Sequence, residues 1–327
     1  MLTAEAWQAR SLGAPDQVLE LIERTYGAPE EGRLLIKVHA AGLGLPDLLM
    51  LEGAYPGMDA LPAPGQEAVG VVVEAPRGSA FTAGDRVMGL TPFTEGIGGC
   101  AQYTYVRENK TRRVPQVFSD EQAAGFMLAF RSAFAVLVQR VPVTEGQTVL
   151  INGASGSSGT ALVQLGKALG ATVIAVARTQ EQRDFCAQIG ADHTIDPFAT
   201  DVAEAARELT GGRGVDVFCD SVGAEPGTQA LKAVARGGRV ALLGYAAGSW
   251  LTVDPMDLVM RNYSVSGVYA GGFDAREDAE AYDTLCDLAE HGLITTPLGS
   301  VHDFRAVPQA VASLRSTRIG KTVVRVA

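Results

Sequence analysis

"INGASGSSGTALVQLGKALG", residues 151–170, decides how the rest of the chain is read. Its first half gathers Gly153, Gly156 and Gly159 among Ser155, Ser157, Ser158 and Thr160. Its second half sets Leu162, Leu165, Ala168 and Leu169 on one helical face. Gly170 stands at the C′ position, where a left-handed residue ends a helix. Just ahead, "TVLING" reads as a buried strand. Strand, glycine turn and helix together place backbone N–H groups and a helix N-terminus where they can meet a pyrophosphate. The pattern runs Ala154, Gly156, Gly159, so Ala154 replaces the first glycine of GxGxxG and Gly153 lies one place earlier. No Gly-Lys-Ser/Thr follows, which excludes a Walker loop.

Downstream the alternation continues. "ATVIAVA" is a second strand, and "TQEQRDFCAQIG" is a helix with Thr179 and Gln182 as a capping pair and Gly190 at its end. "HTID", "DVAEAAREL", "VDVFCDS", "TQALKAVA" and "RVALLG" extend the series, and "NYSVSGVY" supplies a sixth strand. This spacing predicts a doubly wound parallel sheet with right-handed crossovers. Upstream, "GRLLIKVHAAGL", "EAVGVVVEAP", "AGDRVMGL" and "CAQYTYVREN" are short runs between turn residues, predicting an irregular, mostly β domain. "SDEQAAGFMLAFRSAFAVLVQR" opens on a Ser119/Gln122 capping box and reads as helix until Pro142. The final helices and strand are expected to return to the first domain. The predicted division is 1–121 with 270–327, and 122–269.

The end of the second strand bears on the cofactor. An acid about 20 residues after the glycine loop would hold a ribose 2′-hydroxyl. Here Arg178 occupies that place in "AVARTQEQR". A guanidinium pairs with a 2′-phosphate where an acid would repel it, so the expected cofactor is NADPH. Glu181 falls in the first helical turn, where dipole compensation accounts for it.

Composition narrows the classes. The 327 residues are 47% hydrophobic and 20% charged, with a net charge of −10, and contain no basic run. That argues against a nucleic-acid surface as the main business. The four cysteines, Cys100, Cys186, Cys219 and Cys286, lack the close spacing of a zinc or redox pair. No signal-peptide h-region and no apolar run of about 18 residues is seen, so a cytoplasmic protein without a membrane partner is expected.

Taken in order, "VHAAGLGLPDLLMLEGAYPGM", "PAPGQEAVGVV", "AGDRVMGL", "GGCAQY", "INGASGSSGTALVQLGKALGA", "VDVFCDSVG", "ARGGRVALLGYAAG", "RNYSVSGVYAGG" and "IGKTVV" resemble a zinc-free, zeta-crystallin-like quinone oxidoreductase of the medium-chain dehydrogenase/reductase superfamily. The resemblance covers nearly the whole length and implies a GroES-like mostly β catalytic domain beside a Rossmann domain. Zinc members carry a cysteine after the "AAG" strand and a histidine in "PGHE". This chain reads Gly44-Leu45-Pro46-Asp47 and Pro64-Gly65-Gln66-Glu67, and it lacks the structural zinc lobe. Zinc prefers N/S ligands in a tetrahedron, and these stretches offer none, so no metal is expected.

By resemblance, the cofactor contacts are Ser132, Ala154, Ser155, Gly156, Ser157, Ser158, Gly159, Arg178, Ser221, Val222, Gly244, Tyr245, Val268, Tyr269 and Lys321, with Gly223 and Gly267 beside them. Tyr55 matches a tyrosine near the nicotinamide and is either a proton donor or an apolar wall. Tyr55, Met58, Phe93, Phe130, Tyr269 and Phe273 are the expected pocket lining. The family's frequent lysine and tyrosine for the 2′-phosphate fall at Gln182 and Pro197, so Arg178, with Arg183 as a second candidate, must serve. Gly44 replaces a common asparagine.

The implied activity is NADPH-dependent, zinc-independent reduction of a quinone or α,β-unsaturated carbonyl by a homodimer joined near "NYSVSGVY". Two alternatives stand beside it. Enoyl-thioester reduction needs a basic entrance for a CoA phosphate, which the acidic balance does not supply. A non-catalytic NADPH-binding redox sensor or RNA-binding protein needs, for RNA, a basic stripe that is missing.

Overall fold

The structure, a computed structural model, describes residues 1–316 and 319–327. It divides into Met1–Leu128 with Asp274–Ala327, and Ala129–Phe273. The sequence reading sets these divisions several residues earlier, at 121/122 and 269/270.

In the first unit β1 (Leu2–Ala9) and β2 (Leu19–Tyr26) form an antiparallel pair of their own. β3 (Arg33–Leu43), β4 (Glu67–Glu74), β5 (Arg86–Leu90), β6 (Tyr103–Arg107) and β7 (Thr111–Arg113) form most of a larger sheet. The second unit holds β8 (Thr148–Asn152), β9 (Thr172–Val176), β10 (His193–Ile195), β11 (Val215–Asp220), β12 (Val234–Leu242) and β13 (Ser264–Gly267). The tail adds β14 (Leu298–Asp303) and β15 (Lys321–Arg325) to the first unit's sheet.

That sheet runs β14-β15-β3-β4-β5-β7, with β6 also on β3. β3 is long enough to take two partners in succession: Arg33–Lys37 pairs with β6, and Ala40–Leu43 with β15. Leu34, Ile36 and Val38 alternate into a core with Ala68, Val72, Phe81, Val87 and Val106, as a half-buried strand requires. The register slips between Val38 and Ala40, and Gly70 allows the close approach there: a Cβ on it would lie 1.9 Å from the Lys37 carbonyl oxygen.

The second unit's sheet is all parallel in the order β10-β9-β8-β11-β12-β13, a doubly wound arrangement whose strand order reverses between β8 and β11. Leu150, Ile174, Val176, Phe218 and Val240 lie in its core, because strands covered on both faces need continuous apolar runs. The expected α/β architecture, a mostly β unit and a Rossmann-type unit, is therefore present.

Three local readings differ. The long helix after Ser119 is interrupted. Asp120–Ala123 and Met127–Phe134 are separate helices, followed by a π-helical stretch, Ala135–Arg140. Gly125 lies at the break, where a Cβ would meet Lys321 Cγ at 2.5 Å. β12 begins before the expected strand "RVALLG" and takes in Arg236, Gly237 and Gly238, with Gly237 at φ +74° and the pairing jumping from Val215↔Val234 to Val217↔Arg239. β1, β2 and β14 have no counterpart in the sequence reading.

Candidate active site

The glycine turn joins β8 to the helix Ser157–Ala168. The left-handed residue of the turn is Gly153, at φ +77°, so Ala154 costs nothing there. Gly159 permits close packing of helix on turn, since a Cβ would stand 2.2 Å from the Gly153 carbonyl oxygen. Gly156 is the N-cap and makes no side-chain cap hydrogen bond. A Cβ on it would meet only the Gly153 oxygen, at 3.6 Å, so the space before the helix is open. The first turn carries no acid. Its N–H groups and dipole are therefore available to an anion, with Ser155, Ser157 and Ser158 around them.

The neighbouring strand end is tied to this turn. Asn152 Nδ2 donates to Asp220 Oδ1 at 3.0 Å, and Ser221 Oγ donates to the Asn152 carbonyl at 2.9 Å. Asp220 also accepts from the Val222 and Gly223 N–H groups, at 3.1 and 3.0 Å. Burial pushes its carboxyl up, and those hydrogen bonds act against that rise. Gly223 is required: its φ is +74°, and a Cβ would fall 2.1 Å from the Ser249 carbonyl oxygen. Gly244 and Tyr245 follow β12, with the Tyr245 ring 4.9 Å from that of Trp250. Val268 N–H donates to Leu242 at 3.0 Å, and Tyr269 beside it is exposed. Because the strands are parallel, the residues named from Ala154 to Tyr269 gather at one end of the sheet. Ser132 is half-buried on the helix Met127–Phe134. Next to it, buried Arg131 donates to Gln139 Oε1 at 2.9 Å and stacks 4.5 Å over Phe273.

Arg178 follows β9 and is exposed; among the described residues its guanidinium enters no ion pair. Gln182, which replaces a basic residue of the family, is committed to the helix cap: its Oε1 accepts from the Arg178 and Thr179 N–H groups at 3.1 and 3.2 Å.

In the first unit Tyr55 is half-buried, with its ring edge-on to Phe93 at 6.2 Å. Lys321 is buried, and its Nζ donates to Glu67 Oε1 at 2.5 Å. Glu67 Oε2 accepts the Leu128 N–H at 3.0 Å, which starts the helix after the Gly125 break. Asp47 is fully enclosed and accepts the Gly44 and Gly65 N–H groups at 2.8 and 2.7 Å. Its acceptance from the Gly44 N–H is the N3-to-N-cap half of a capping box on the helix Leu45–Leu51.

Asp47 and Glu67 carry no role in the sequence reading, and both are buried. They were visible in sequence only as neighbours of the absent zinc ligands, and the signal was a pair of acids inside apolar stretches. Among the described residues no group of three or more His, Cys, Asp or Glu side chains is arranged to hold a metal.

Burial raises the Asp47 carboxyl to about 6, against the pull of its two backbone donors. The folded pKa lies above the unfolded one, so this group's stabilisation is complete below about pH 4 and is lost as pH rises through about 6. Each pKa unit is worth about 1.4 kcal/mol, so wild type should lose roughly 3 kcal/mol relative to Asp47→Asn between pH 4 and 7. Denaturant unfolding of both proteins across that range checks this; parallel pH curves would contradict it.

A doubly wound Rossmann-type unit with an open glycine turn, in a chain whose tail rejoins a mostly β unit, is the architecture of a nucleotide-dependent dehydrogenase or reductase. Residues 30–116 match the alcohol dehydrogenase GroES-like domain family, and residues 159–289 match the zinc-binding dehydrogenase family. The chain is 30% identical to quinone oxidoreductase-like protein 2 of Rattus norvegicus, over 91% of this chain and 85% of the relative. It is 26% identical to quinone oxidoreductase of Homo sapiens, over 91% and 90%. Among solved structures, Escherichia coli quinone oxidoreductase complexed with NADPH superposes with a TM-score of 0.90 at 25% identity, covering 99% of this chain and 100% of that one. A probable oxidoreductase from Mycobacterium abscessus gives 0.87 at 31% identity, covering 99% of each. The chain belongs to the medium-chain dehydrogenase/reductase superfamily of oxidoreductases, among its quinone oxidoreductase-like proteins.

Proposed function

We propose that this chain is an NADPH-dependent, zinc-independent reductase acting on a quinone or an α,β-unsaturated carbonyl. The observation that carries the reading is the open, acid-free helix start at Ser157 together with the unengaged guanidinium of Arg178. These residues fit NADPH: the N–H groups after Gly156 and the hydroxyls of Ser155, Ser157 and Ser158 would hold the pyrophosphate, and Arg178 the 2′-phosphate. Ser221, Val222, Gly244, Tyr245, Val268 and Tyr269, with Ser132, would bound the ribose and nicotinamide. When bound, NADPH supplies the hydride.

The protein's own chemistry is orientation, exclusion of water and proton donation. Tyr55 is the proposed donor: its phenol holds a proton for the oxygen that gains negative charge during reduction. Lys321, expected as a cofactor contact, has its ammonium committed to Glu67 instead. The relatives' names favour a quinone, and the aromatic and apolar candidates Tyr55, Met58, Phe93 and Tyr269 suit a flat conjugated carbonyl. The test is NADPH consumption with a panel of simple quinones and enones. Turnover is expected with at least one class; none across the panel with either nicotinamide would sink the reading.

We further propose a homodimer in the cytoplasm. β13 is an edge strand, and the helix Pro255–Arg261 leading to it exposes Met256, Val259 and Met260, each by about two thirds. A second copy would cover both the open edge and the apolar patch. Light scattering should give about twice the 34.2 kDa chain mass, and a monomer would contradict this. Four unpaired cysteines suit a reducing compartment.

A further inference from the structure

Two guanidiniums follow β9, and they differ in what engages them. Arg178 is exposed and free of ion pairs among the described residues. Arg183 is largely enclosed: its Nη1 lies 2.8 Å from Asp196 Oδ2 and donates to the carbonyls of Ala177 and Arg178 at 3.2 Å each. Its Nη2 donates to Gln180 Oε1 at 3.0 Å. Asp196 follows β10, and its other oxygen accepts the Phe198 N–H at 2.9 Å. One carboxylate thus joins the segment after β9 to the segment after β10. It also cancels one of the two positive charges at this end of the sheet.

A 2′-phosphate is bound by donors and by net positive charge, and a nearby carboxylate opposes it on both counts. We propose that Asp196 is a specificity-determining residue: by holding Arg183 it keeps the second guanidinium from the 2′-phosphate and leaves discrimination between NADPH and NADH to Arg178 alone. The inference rests on the NADPH reading above. It predicts a preference for NADPH smaller than two free arginines would give.

Asp196→Asn isolates the charge, because asparagine keeps an oxygen to accept the Phe198 N–H. Calorimetric titrations with NADPH, NADH and 2′,5′-ADP read binding without turnover. Asp196→Asn should bind NADPH and 2′,5′-ADP about tenfold tighter, with NADH within about twofold of wild type. Adding Arg183→Met should cancel the gain, because Arg178 is again the only guanidinium available. If wild type prefers NADPH but Asp196→Asn gives no gain, or shifts both nicotinamides equally, the role of Asp196 is overturned and the NADPH reading stands. A gain that survives Arg183→Met also overturns it. A wild type that binds NADPH no tighter than NADH overturns the cofactor reading and this inference with it.

Discussion

Arg178→Ala should weaken NADPH binding about tenfold or more and leave NADH binding within about twofold. A hydrogen bond to a charged group contributes about 1.5–3 kcal/mol, and each 1.4 kcal/mol is tenfold in affinity. Arg178 is exposed, so solvent screening places its effect toward the lower end of that range. Its neighbours offer no substitute: Gln182 is committed to the helix cap, and Arg183 to Asp196. Raising salt should therefore erode wild-type NADPH affinity more than NADH affinity, and erode the variant's much less. An unchanged ratio of the two affinities in Arg178→Ala would remove this residue from its proposed role.

Breaking the Glu67–Lys321 pair should be the most damaging single change to stability. The side chains are 1% and 5% exposed, and Glu67 also fixes the Leu128 N–H. Removing one partner leaves the other charge buried and uncompensated, a loss of about 3–5 kcal/mol. Glu67→Gln keeps an acceptor for Leu128 and should fall near the lower end; Lys321→Met strands the carboxylate beside Asp47 and should fall near the upper. The joint variant Glu67→Gln/Lys321→Met removes both charges of the pair and should recover much of the loss. Denaturant unfolding of the four proteins checks this, and a joint variant as unstable as the sum of the singles would contradict it. NADPH affinity in the joint variant separates two roles for Lys321. If the ammonium serves only Glu67, affinity returns with stability.

The Rossmann-type unit was legible because its signals are local. Buried parallel strands are continuous apolar runs, and caps such as Thr179 with Gln182 lie three residues apart. The glycine turn was legible too, although the left-handed position is held by Gly153 rather than by the residue at Ala154. What escaped depends on partners distant in sequence. Lys321 looked like a tail residue reaching a cofactor, and nothing near it shows that Glu67, 254 positions away, takes its charge. Arg183 looked like a spare phosphate ligand until Asp196 was placed against it. The helix break at Gly125 likewise comes from Lys321 packed against that glycine and from the Glu67 carboxylate at Leu128, not from helix propensity.

Reduction is proposed to run on NADPH without a metal. The most direct test follows NADPH oxidation by protein stripped with a strong chelator and assayed with the best quinone or enone acceptor, before and after zinc is added back. Full activity in the stripped protein, unchanged by zinc, is the predicted result. Activity lost on stripping and restored by zinc would contradict it.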